Sequence, residues 1–327
     1  MRQQQLSIAA FRACPEQVRE ASLHHLIGIG LKVASTLVLM VMAALMKLLS
    51  ETVPVGEVMF ARSFFALLPL SVWLTWRGEF PRALRTRNVR GHVLRGGFGG
   101  LALASYLVAL TYLPLPDVTA IQFLAPLLTL ALATVLLGEV VGIFRWSAVG
   151  VGFIGIVMIL WPYLGQGWSS ADAGAIGALV AVMAASLTSL AMIQVRHLTG
   201  TETTGSIVFY FSVTCTVLAL CTLPFGWAVP TPREAALLVT IGLIGGIGQI
   251  LLTQSYRYAP ASVVAPFDYT AMIWSLVLGY LMFGDRPVAI TLAGASIVIA
   301  AGLFVIWRER QLGIERARQR QASPPPV

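Results

Sequence analysis

The sequence predicts an all-α membrane protein with ten transmembrane helices, arranged as two inverted repeats of five helices each. Three observations lead to this prediction: an apolar composition, ten long hydrophobic runs, and a segment that recurs in the second half. Of the 327 residues, 57% are hydrophobic and 11% are charged, and the mean hydropathy is +0.81. Because a soluble domain carries about a quarter charged residues, the composition excludes a soluble enzyme and a soluble nucleic-acid-binding domain.

The ten runs are each long enough to cross a bilayer, which takes about 20 mostly apolar residues of helix. The runs are continuously apolar, whereas the strands of a membrane barrel alternate in hydrophobicity over about ten residues. The pattern therefore favours helices over a barrel. The predicted spans are roughly 26–48, 57–76, 93–113, 117–137, 144–163, 173–195, 205–228, 236–256, 262–283 and 288–307.

These spans divide the chain into four segments. Residues 1–25 form a polar N-terminal segment without the apolar core and cleavage site of a secretory signal. Residues 26–163 and 173–307 form the two five-helix halves, and residues 308–327 form a basic, Pro-rich tail whose composition predicts disorder.

The distribution of arginines predicts the orientation of the chain. The net charge is +8, and Lys and Arg are enriched in the cytoplasmic loops of membrane proteins. If both termini are cytoplasmic, only Arg233 and Arg286 face the opposite side. The cytoplasmic side then holds all the arginines of residues 2–19, 77–95 and 308–320, together with Arg145, Arg196 and Arg257.

The chain contains an internal repeat. When the sequence is shifted by 146 positions, residues 96–139 lie over residues 242–285 without a gap, and ten of the 44 aligned positions are identical. Glycines and prolines recur at the same junctions, and Glu139 aligns with Asp285. Since each half has an odd number of helices, the second half enters the membrane from the opposite side. Inverted repeats of this kind are typical of secondary transporters.

With these features the sequence resembles the EamA-type transporters of the drug/metabolite transporter superfamily over about 26–161 and 174–308. The resemblance implies ten helices, cytoplasmic termini and a central substrate cavity in a bacterial inner membrane. Two departures are that Met272 stands where the first half has Pro126, and that Asp285 replaces the more usual Glu. The residues that carry the resemblance are Arg62, Tyr112-Leu113-Pro114, Pro126, Leu137-Gly138-Glu139, Tyr258-Ala259-Pro260 and Phe283-Gly284-Asp285.

Ionisable residues inside spans are costly in the bilayer and are therefore candidates for the transport site. Asp268 lies about six residues into the ninth span, and its repeat partner in the fourth span is Gln122. We expect this pair to line a cavity near the midplane, and Asp268 is also a candidate carrier of a coupling proton. Arg62 is expected either to pair with another helix or to contact the substrate. Lys32 and Lys47 are expected to snorkel to the two surfaces.

Aromatic residues near the polar pair could stack on a flat substrate, although aromatics at helical spacing also serve in packing. The glutamines of the eighth span could hydrogen-bond a polar ligand. Glycines spaced four apart in the third and eighth spans would let helix backbones approach closely, as static packing or as a sliding contact. These candidates are Phe123, Phe267, Tyr269 and Trp274; Gln249 and Gln254; and Gly96, Gly100, Gly242 and Gly246.

The function predicted from these patterns is secondary transport of a small organic solute by alternating access, with no enzymatic activity. The chain shows no P-loop, no His-Glu-x-x-His pair and no Gly-x-Ser-x-Gly elbow, and we expect no catalytic residues, no cofactor, no metal and no nucleic-acid partner. Within the superfamily, residues 30–62 look most like bacterial importers of the riboflavin and S-adenosylmethionine type. Riboflavin is the leading substrate, amino-acid or drug transport is the alternative, and a channel or membrane scaffold is the alternative of another class.

Overall fold

The structure, a computed structural model, describes residues 2–137, 143–164 and 173–322. Within these ranges the chain is helical and contains no strand. The α-helices are α1 (Arg2–Leu49), α2 (Val55–Trp76), α3 (Phe80–Ala83), α4 (Val89–Tyr112), α5 (Leu115–Gln122), α6 (Leu124–Leu137), α7 (Ile143–Leu164), α8 (Ala173–Thr199), α9 (Thr204–Leu220), α10 (Pro232–Tyr258), α11 (Ala261–Val264), α12 (Thr270–Leu278) and α13 (Ala289–Ala322).

Nine helical segments of the described ranges are long and apolar enough to cross a membrane. They correspond to nine of the ten predicted spans, with bounds that differ by a few residues. The exception is the predicted ninth span, 262–283, which is not one continuous α-helix. An all-helical membrane protein is thus what the described residues form, and the predicted ninth span is built differently from the nine long helical segments.

The predicted ninth span is a series of short helical pieces. After α11 the chain forms a 3₁₀-helix at Ala265–Tyr269, then α12, and then a π-helical turn at Gly279–Phe283. Pro266 lies in the 3₁₀-helix, and a proline removes one i→i−4 hydrogen bond and clashes with the preceding turn. Gly284 ends the segment with a φ of 69°, which glycine adopts without steric cost. Apolar composition alone could not reveal this irregularity.

The predicted fourth span is interrupted at Phe123, between α5 and α6. Pro126 has no N–H to donate to the carbonyl of Gln122 four residues earlier, so the helix loses a hydrogen bond at this level. Phe123 aligns with Tyr269 in the repeat, and Tyr269 ends the 3₁₀-helix of the other half. The two breaks therefore fall at the same register although their prolines do not.

The helices pack around one core to which most of the long helices contribute buried residues. The most extensive contacts join α4 to α8, α1 to α10, α7 to α13, α2 to α10, α2 to α9 and α4 to α9. Further contacts join α6 to α8 and α1 to α12. Helices that belong to different predicted halves thus form the principal contacts of the bundle.

The predicted packing glycines lie at two of these contacts. A Cβ atom on Gly242 would lie 2.6 Å from the carbonyl oxygen of Ala61, and one on Gly246 would lie 2.8 Å from that of Ala66. These glycines therefore bring α10 against the backbone of α2. Gly96 and Gly100 instead make room for the side chains of Thr214 and Leu218, so they bring α4 close to α9 through side-chain contacts.

The contact between α7 and α13 also depends on glycine. A Cβ atom on Gly155 would lie 2.7 Å from the carbonyl oxygen of Gly294, and one on Gly294 would lie 2.5 Å from that of Gly155. The two backbones touch directly at this crossing. Small residues at crossings are the usual means of helix association in lipid, where no hydrophobic effect drives helices together.

The two ends of the chain differ from the sequence-based expectation. Helix α1 begins at Arg2, so the polar N-terminal segment continues directly into the first span. Helix α13 continues to Ala322, so the tail is helical over 308–322 rather than irregular. The run from Ala289 onward has no proline before 322, and the prolines at 324–326 lie outside the described residues.

Replacing Gly242 by Ala should destabilise the protein by about 1–3 kcal/mol, because the added methyl group meets fixed backbone atoms of α2. The measurement is thermal unfolding of the purified protein in detergent. Gly97→Ala is the matched control, since nothing lies within 4 Å of a Cβ at that position of α4. An equal effect of the two substitutions would contradict the close contact.

Candidate substrate site

An ion pair lies beside the break in the predicted ninth span. The Lys32 Nζ of α1 is 2.6 Å from Asp268 Oδ1, and it donates a hydrogen bond of 3.1 Å to the Tyr256 hydroxyl of α10. The Lys32 side chain is 1% exposed, whereas that of Asp268 is 49% exposed. The carboxylate therefore neutralises a buried cation and still keeps an accessible face.

The expectation that Lys32 snorkels to the surface is wrong. Its side chain is directed into the bundle, where Asp268 and Tyr256 replace the water that its ammonium group would otherwise need. The ammonium group also lies 4.8 Å from the centre of the Tyr256 ring. Snorkelling is the alternative for a lysine without an interior partner, and the sequence alone did not show that Asp268 faces it.

Neighbouring hydroxyl groups strengthen the same contact between helices. Thr36, one turn after Lys32, lies with its hydroxyl oxygen 2.8 Å from that of Thr270 at the start of α12. Ser35 donates a hydrogen bond of 2.9 Å to the carbonyl oxygen of Gly248 in α10. One end of the broken segment is thus attached to α1 by an ion pair and a hydrogen bond.

A second charged group involves two arginines and one aromatic ring. The guanidinium carbon of Arg62 in α2 lies 5.9 Å from the centre of the Phe211 ring, and that of Arg95 in α4 lies 4.0 Å from it. The Nε atoms of both arginines are buried and have no acceptor among the described residues. Within the described ranges neither arginine forms an ion pair, so this group holds two cations without an anion.

The position of Arg95 corrects a sequence-based assignment. The sequence pattern assigns Arg95 to the cytoplasmic loop. In the structure it lies in the second turn of α4, and its guanidinium packs on Phe211. Gly99 makes room for it, since a Cβ atom there would lie 2.3 Å from Arg95 Nη1 and 2.8 Å from the Phe211 ring. The pairing of Arg95 with Gly99 at i, i+4 was the only sequence signal.

The remaining candidates form no single cluster with Asp268. Phe123 and Tyr269 contact each other, with ring centres 5.0 Å apart, so the two repeat-related breaks meet. The Gln122 Nε2 and Trp274 Nε1 atoms are buried without an acceptor among the described residues. The half-buried candidates for which the structure gives no side-chain partner are Phe267 and Gln249.

Gln254 lies apart from Asp268. It is on a different face of α10 from Tyr256, the residue of α10 that contacts Lys32. It accepts a hydrogen bond of 3.4 Å from Arg77, and the two residues line a cavity of about 270 Å³ with Trp76 and Arg257. Arg77 also pairs with Glu79 at 3.2 Å. This cavity is open to the surface and lacks the predicted aromatic candidates, so it is not the central site that the sequence predicted.

The other end of α1 has its own polar contacts. Lys47 donates a hydrogen bond of 2.6 Å to the carbonyl oxygen of Leu113 and lies 5.3 Å from the centre of the Phe283 ring. Asp285 accepts a hydrogen bond of 3.2 Å from the backbone N–H of Leu115, at the start of α5. Lys47 is thus half-buried rather than extended to the surface. Glu139, the repeat partner of Asp285, lies outside the described residues.

We call one end of the bundle the arginine-rich end. It is formed by residues 77–90, 199–204 and 254–258. Here Glu202 accepts hydrogen bonds of 2.7 Å from the Thr86 hydroxyl and 2.9 Å from the Arg87 backbone N–H. Burial acts to raise the pKa of Glu202, but these hydrogen bonds outweigh it and hold the pKa below its ordinary value. Glu202 therefore attaches the α8–α9 loop to the α3–α4 loop.

Together these features define an integral membrane protein with paired and unpaired charges inside its helix bundle, next to a broken helix. A charge in that position marks a pathway for a polar solute. The EamA-like transporter family model matches residues 26–161 and 175–307, and the chain belongs to this family. It is therefore a membrane transport protein.

The curated relatives are also transporters. The chain is 29% identical over 275 residues to a pseudopaline exporter from Pseudomonas aeruginosa (strain UCBPP-PA14), covering 84% of this chain and 94% of the relative. It is 31% identical over 257 residues to an S-adenosylmethionine uptake transporter from Rickettsia bellii, covering 78% and 84%. It is 31% identical over 229 residues to a riboflavin transporter from Rhizobium johnstonii, covering 69% and 73%.

A solved crystal structure shares the fold. It superposes with a TM-score of 0.61 at 20% sequence identity, and the match covers 89% of this chain and 99% of the other. This likeness supports the helical architecture and carries no information about the substrate.

Removing either partner of the Lys32–Asp268 pair should destabilise the protein, and Asp268→Asn should cost more than Lys32→Met. The asymmetry arises because the lysine is the buried partner, and an unpaired buried charge is costly. In a double-mutant cycle read by unfolding in detergent, we expect a coupling energy of about 0.5–3 kcal/mol. The matched control is the exposed Arg77–Glu79 pair, for which a coupling of about 0–1 kcal/mol is expected. Equal losses for Asp268→Asn and Lys32→Met would refute the asymmetry, and equal coupling in both cycles would refute the greater strength of the buried pair.

Glu202 should make the stability of the arginine-rich end depend on pH. Because the folded pKa lies below the ordinary value, Glu202 stabilises the folded state above that value, and the contribution is lost as pH falls through the folded pKa. Between about pH 5 and pH 3, the melting temperature of the native protein should therefore fall more steeply than that of Glu202→Gln. Glu79→Gln, an exposed carboxylate change at the same end, should leave the slope unaltered. Parallel slopes for the native protein and Glu202→Gln would count against this role.

Proposed function

We propose that this protein is a secondary transporter that moves a small organic metabolite across a bacterial inner membrane by alternating access, without enzymatic activity. The observation that carries the proposal is the Lys32–Asp268 pair beside the break at Ala265–Tyr269. Secondary transporters commonly place their sites at discontinuous helices, where irregular backbone faces the interior of the protein. A half-exposed carboxylate at that position is accessible to a solute and is attached to a second helix.

We further propose that the chain has ten membrane crossings in two inverted halves, with residues 261–283 as the ninth crossing. The helix contacts support this arrangement, because exchanging the two halves exchanges α1–α10 with α4–α8 and α2–α10 with α4–α9. The contacts α2–α9 and α7–α13 each join counterparts to one another. The arginine distribution supports cytoplasmic termini, which would make the arginine-rich end the cytoplasmic end.

The proposed solute site lies between the two breaks, where Phe123 contacts Tyr269. The buried amide of Gln122 and the indole N–H of Trp274 are donors without protein acceptors, as a ligand site requires. The names of the relatives point to riboflavin, S-adenosylmethionine or pseudopaline as solutes. Uptake of riboflavin or a similar compound is the leading proposal, and amino-acid, S-adenosylmethionine or drug transport is the alternative.

Asp268 is also proposed to carry a coupling proton. Its carboxylate is accessible on one side and held by Lys32 on the other, so protonation would release Lys32 and weaken the attachment of the broken segment to α1. A change in charge would thereby be converted into a change in helix contacts. This is the kind of two-state element that coupling between a proton and a solute requires.

The test is solute counterflow with the full-length protein in liposomes. Vesicles preloaded with unlabelled solute should accumulate labelled riboflavin or labelled S-adenosylmethionine transiently, with saturable rates, because a carrier binds one solute per cycle. Asp268→Asn should reduce the rate by at least about tenfold and flatten its pH dependence. The vesicle result should agree with growth and labelled uptake in a riboflavin-auxotrophic bacterium that lacks its own importer.

The control variant is Glu79→Gln, which removes an exposed carboxylate outside the proposed site and should transport normally. Flux that never saturates would favour a channel, and the absence of flux for every probe would favour a membrane scaffold. Normal transport and pH dependence in Asp268→Asn would remove this residue from the mechanism. A failure of growth rescue alone would reject riboflavin and retain the carrier.

A further inference from the structure

Two arginines with buried Nε atoms meet at the Phe211 ring. Arg62 and Arg95 come from different helices, α2 and α4, and meet at a single ring of α9. Arg62 lies in the second turn from one end of its helix, and Arg95 lies in the second turn of a helix that starts at the other end of the bundle. Their side chains therefore converge toward the interior from opposite sides.

Within the described ranges no carboxylate forms an ion pair with Arg62 or Arg95. The lysine and arginine ion pairs there are Lys32 with Asp268 and Arg77 with Glu79, and the buried Glu57 of α2 keeps its Oε2 without a hydrogen-bond partner. The Phe211 ring offsets part of the cost of the charges through cation–π contact. A ring face does not accept the N–H groups that lie in the plane of a guanidinium. The Nε donors of the two arginines therefore still need acceptors.

Two guanidinium groups pack on the Phe211 ring, and both are hydrogen-bond donors. A guanidinium has five N–H donors and no acceptor, and the buried Nε atoms of Arg62 and Arg95 both lack an acceptor among the described residues. The fork of N–H groups in an arginine matches the two oxygens of a carboxylate or the oxygens of a phosphate. The group that would satisfy this site is therefore an oxyanion.

Two repeat-related glycines lie next to the arginines. Gly99 leaves the room that the Arg95 guanidinium and the Phe211 ring occupy, since a Cβ atom there would lie too close to both. Its repeat partner Gly245 packs against Met42, and its Cβ position lies 4.0 Å from Arg62 Cγ. A pair of repeat-related glycines thus flanks the two arginines, which ties this site to the same symmetry as the proposed transport path.

We propose that Arg62 and Arg95 bind an anionic oxygen group of the transported solute, a carboxylate or a phosphate, and so restrict the substrates to organic anions and zwitterions. This inference rests on the proposed transport function and specifies its substrate class. It reverses the order of substrates given above: an S-adenosylmethionine-like solute, which carries a carboxylate, replaces unmodified riboflavin, which carries no anionic group, as the leading candidate. Arg95 becomes a binding residue that the loop assignment had hidden.

The test compares ligands that differ only in the anionic group. The pairs are S-adenosylmethionine against its decarboxylated form, and riboflavin phosphate against riboflavin, each titrated onto the purified full-length protein in detergent at constant ionic strength. The readout is the dissociation constant from thermal stabilisation. In at least one pair, the anionic member should bind about 10- to 100-fold more tightly, as expected for charge-assisted hydrogen bonds. The pair that shows the difference identifies carboxylate or phosphate as the ligand.

Variants locate the effect. Arg62→Gln and Arg95→Gln should each reduce the preference for the anionic member to less than about threefold. Arg95→Lys keeps the charge without the planar fork and should give an intermediate preference. Arg77→Gln makes the same change at the surface cavity and should retain the full preference. Equal binding within both pairs, no binding of either anionic ligand, or an unchanged preference in Arg62→Gln and Arg95→Gln would overturn the proposal.

The same preparations in liposomes separate this inference from the proposed function. Saturable counterflow of riboflavin without any preference for anions would leave the transporter standing and reject the arginine site as a substrate site. Arginine-dependent anion binding without counterflow of any probe would retain the anion site and reject transport.

Discussion

The arrangement of the bundle depends on the ion pair between Lys32 and Asp268. A lysine that is 1% exposed in an apolar bundle requires a counter-charge, and Asp268 can supply it because the chain leaves regular α-helix at Ala265–Tyr269. The break in the helix and the ion pair therefore support each other. The irregular backbone of this segment lies against α1 and α13, and irregular backbone within a membrane is tolerated where it packs against protein. A continuous helix at this position would place the carboxylate in a different direction relative to α1.

The sequence predicted the larger features because they depend on averages over many residues. Ten apolar runs, a repeat and a one-sided arginine distribution each sum over a helix or a half, and nine of the runs correspond to helical segments of the described ranges that are long and apolar enough to cross a membrane. Contacts between particular side chains were not predictable in this way. Lys32 near the end of a span is compatible with snorkelling or with pairing, and the choice depends on which residue of another helix faces it. Arg95 illustrates the same problem. If the predicted start of a helix is wrong by one turn, an arginine assigned to the loop lies inside the bundle.

The predicted site residues separate into groups with different environments. Asp268, Tyr269 and Phe123 lie at the helix breaks, Gln254 lies at a cavity near the surface, and Arg62 lies with Arg95 on Phe211. Polar residues within apolar spans were a good guide to interior positions, since polar groups avoid lipid. They gave no guide to which of these positions share one space, because a helix of this length presents residues to several neighbours. Family membership and relatives establish transport, and the groups of side chains show where recognition could differ among relatives.

The crossing of α7 and α13 has a mechanical consequence. At Gly155 and Gly294 the two backbones touch, while Ile159 and Val298 pack beside the glycines, so the point of contact itself has no side chain that must change rotamer when the helices turn relative to each other. Most contacts between packed helices change from one discrete arrangement to another, because interdigitated side chains must separate before the helices can move. Where two backbones touch directly, the angle between the two helices can change while the distance between them stays fixed. A change of angle at this contact would let α7 and α13, and with them the two proposed halves of the bundle, move relative to each other without opening a gap that lipid could fill.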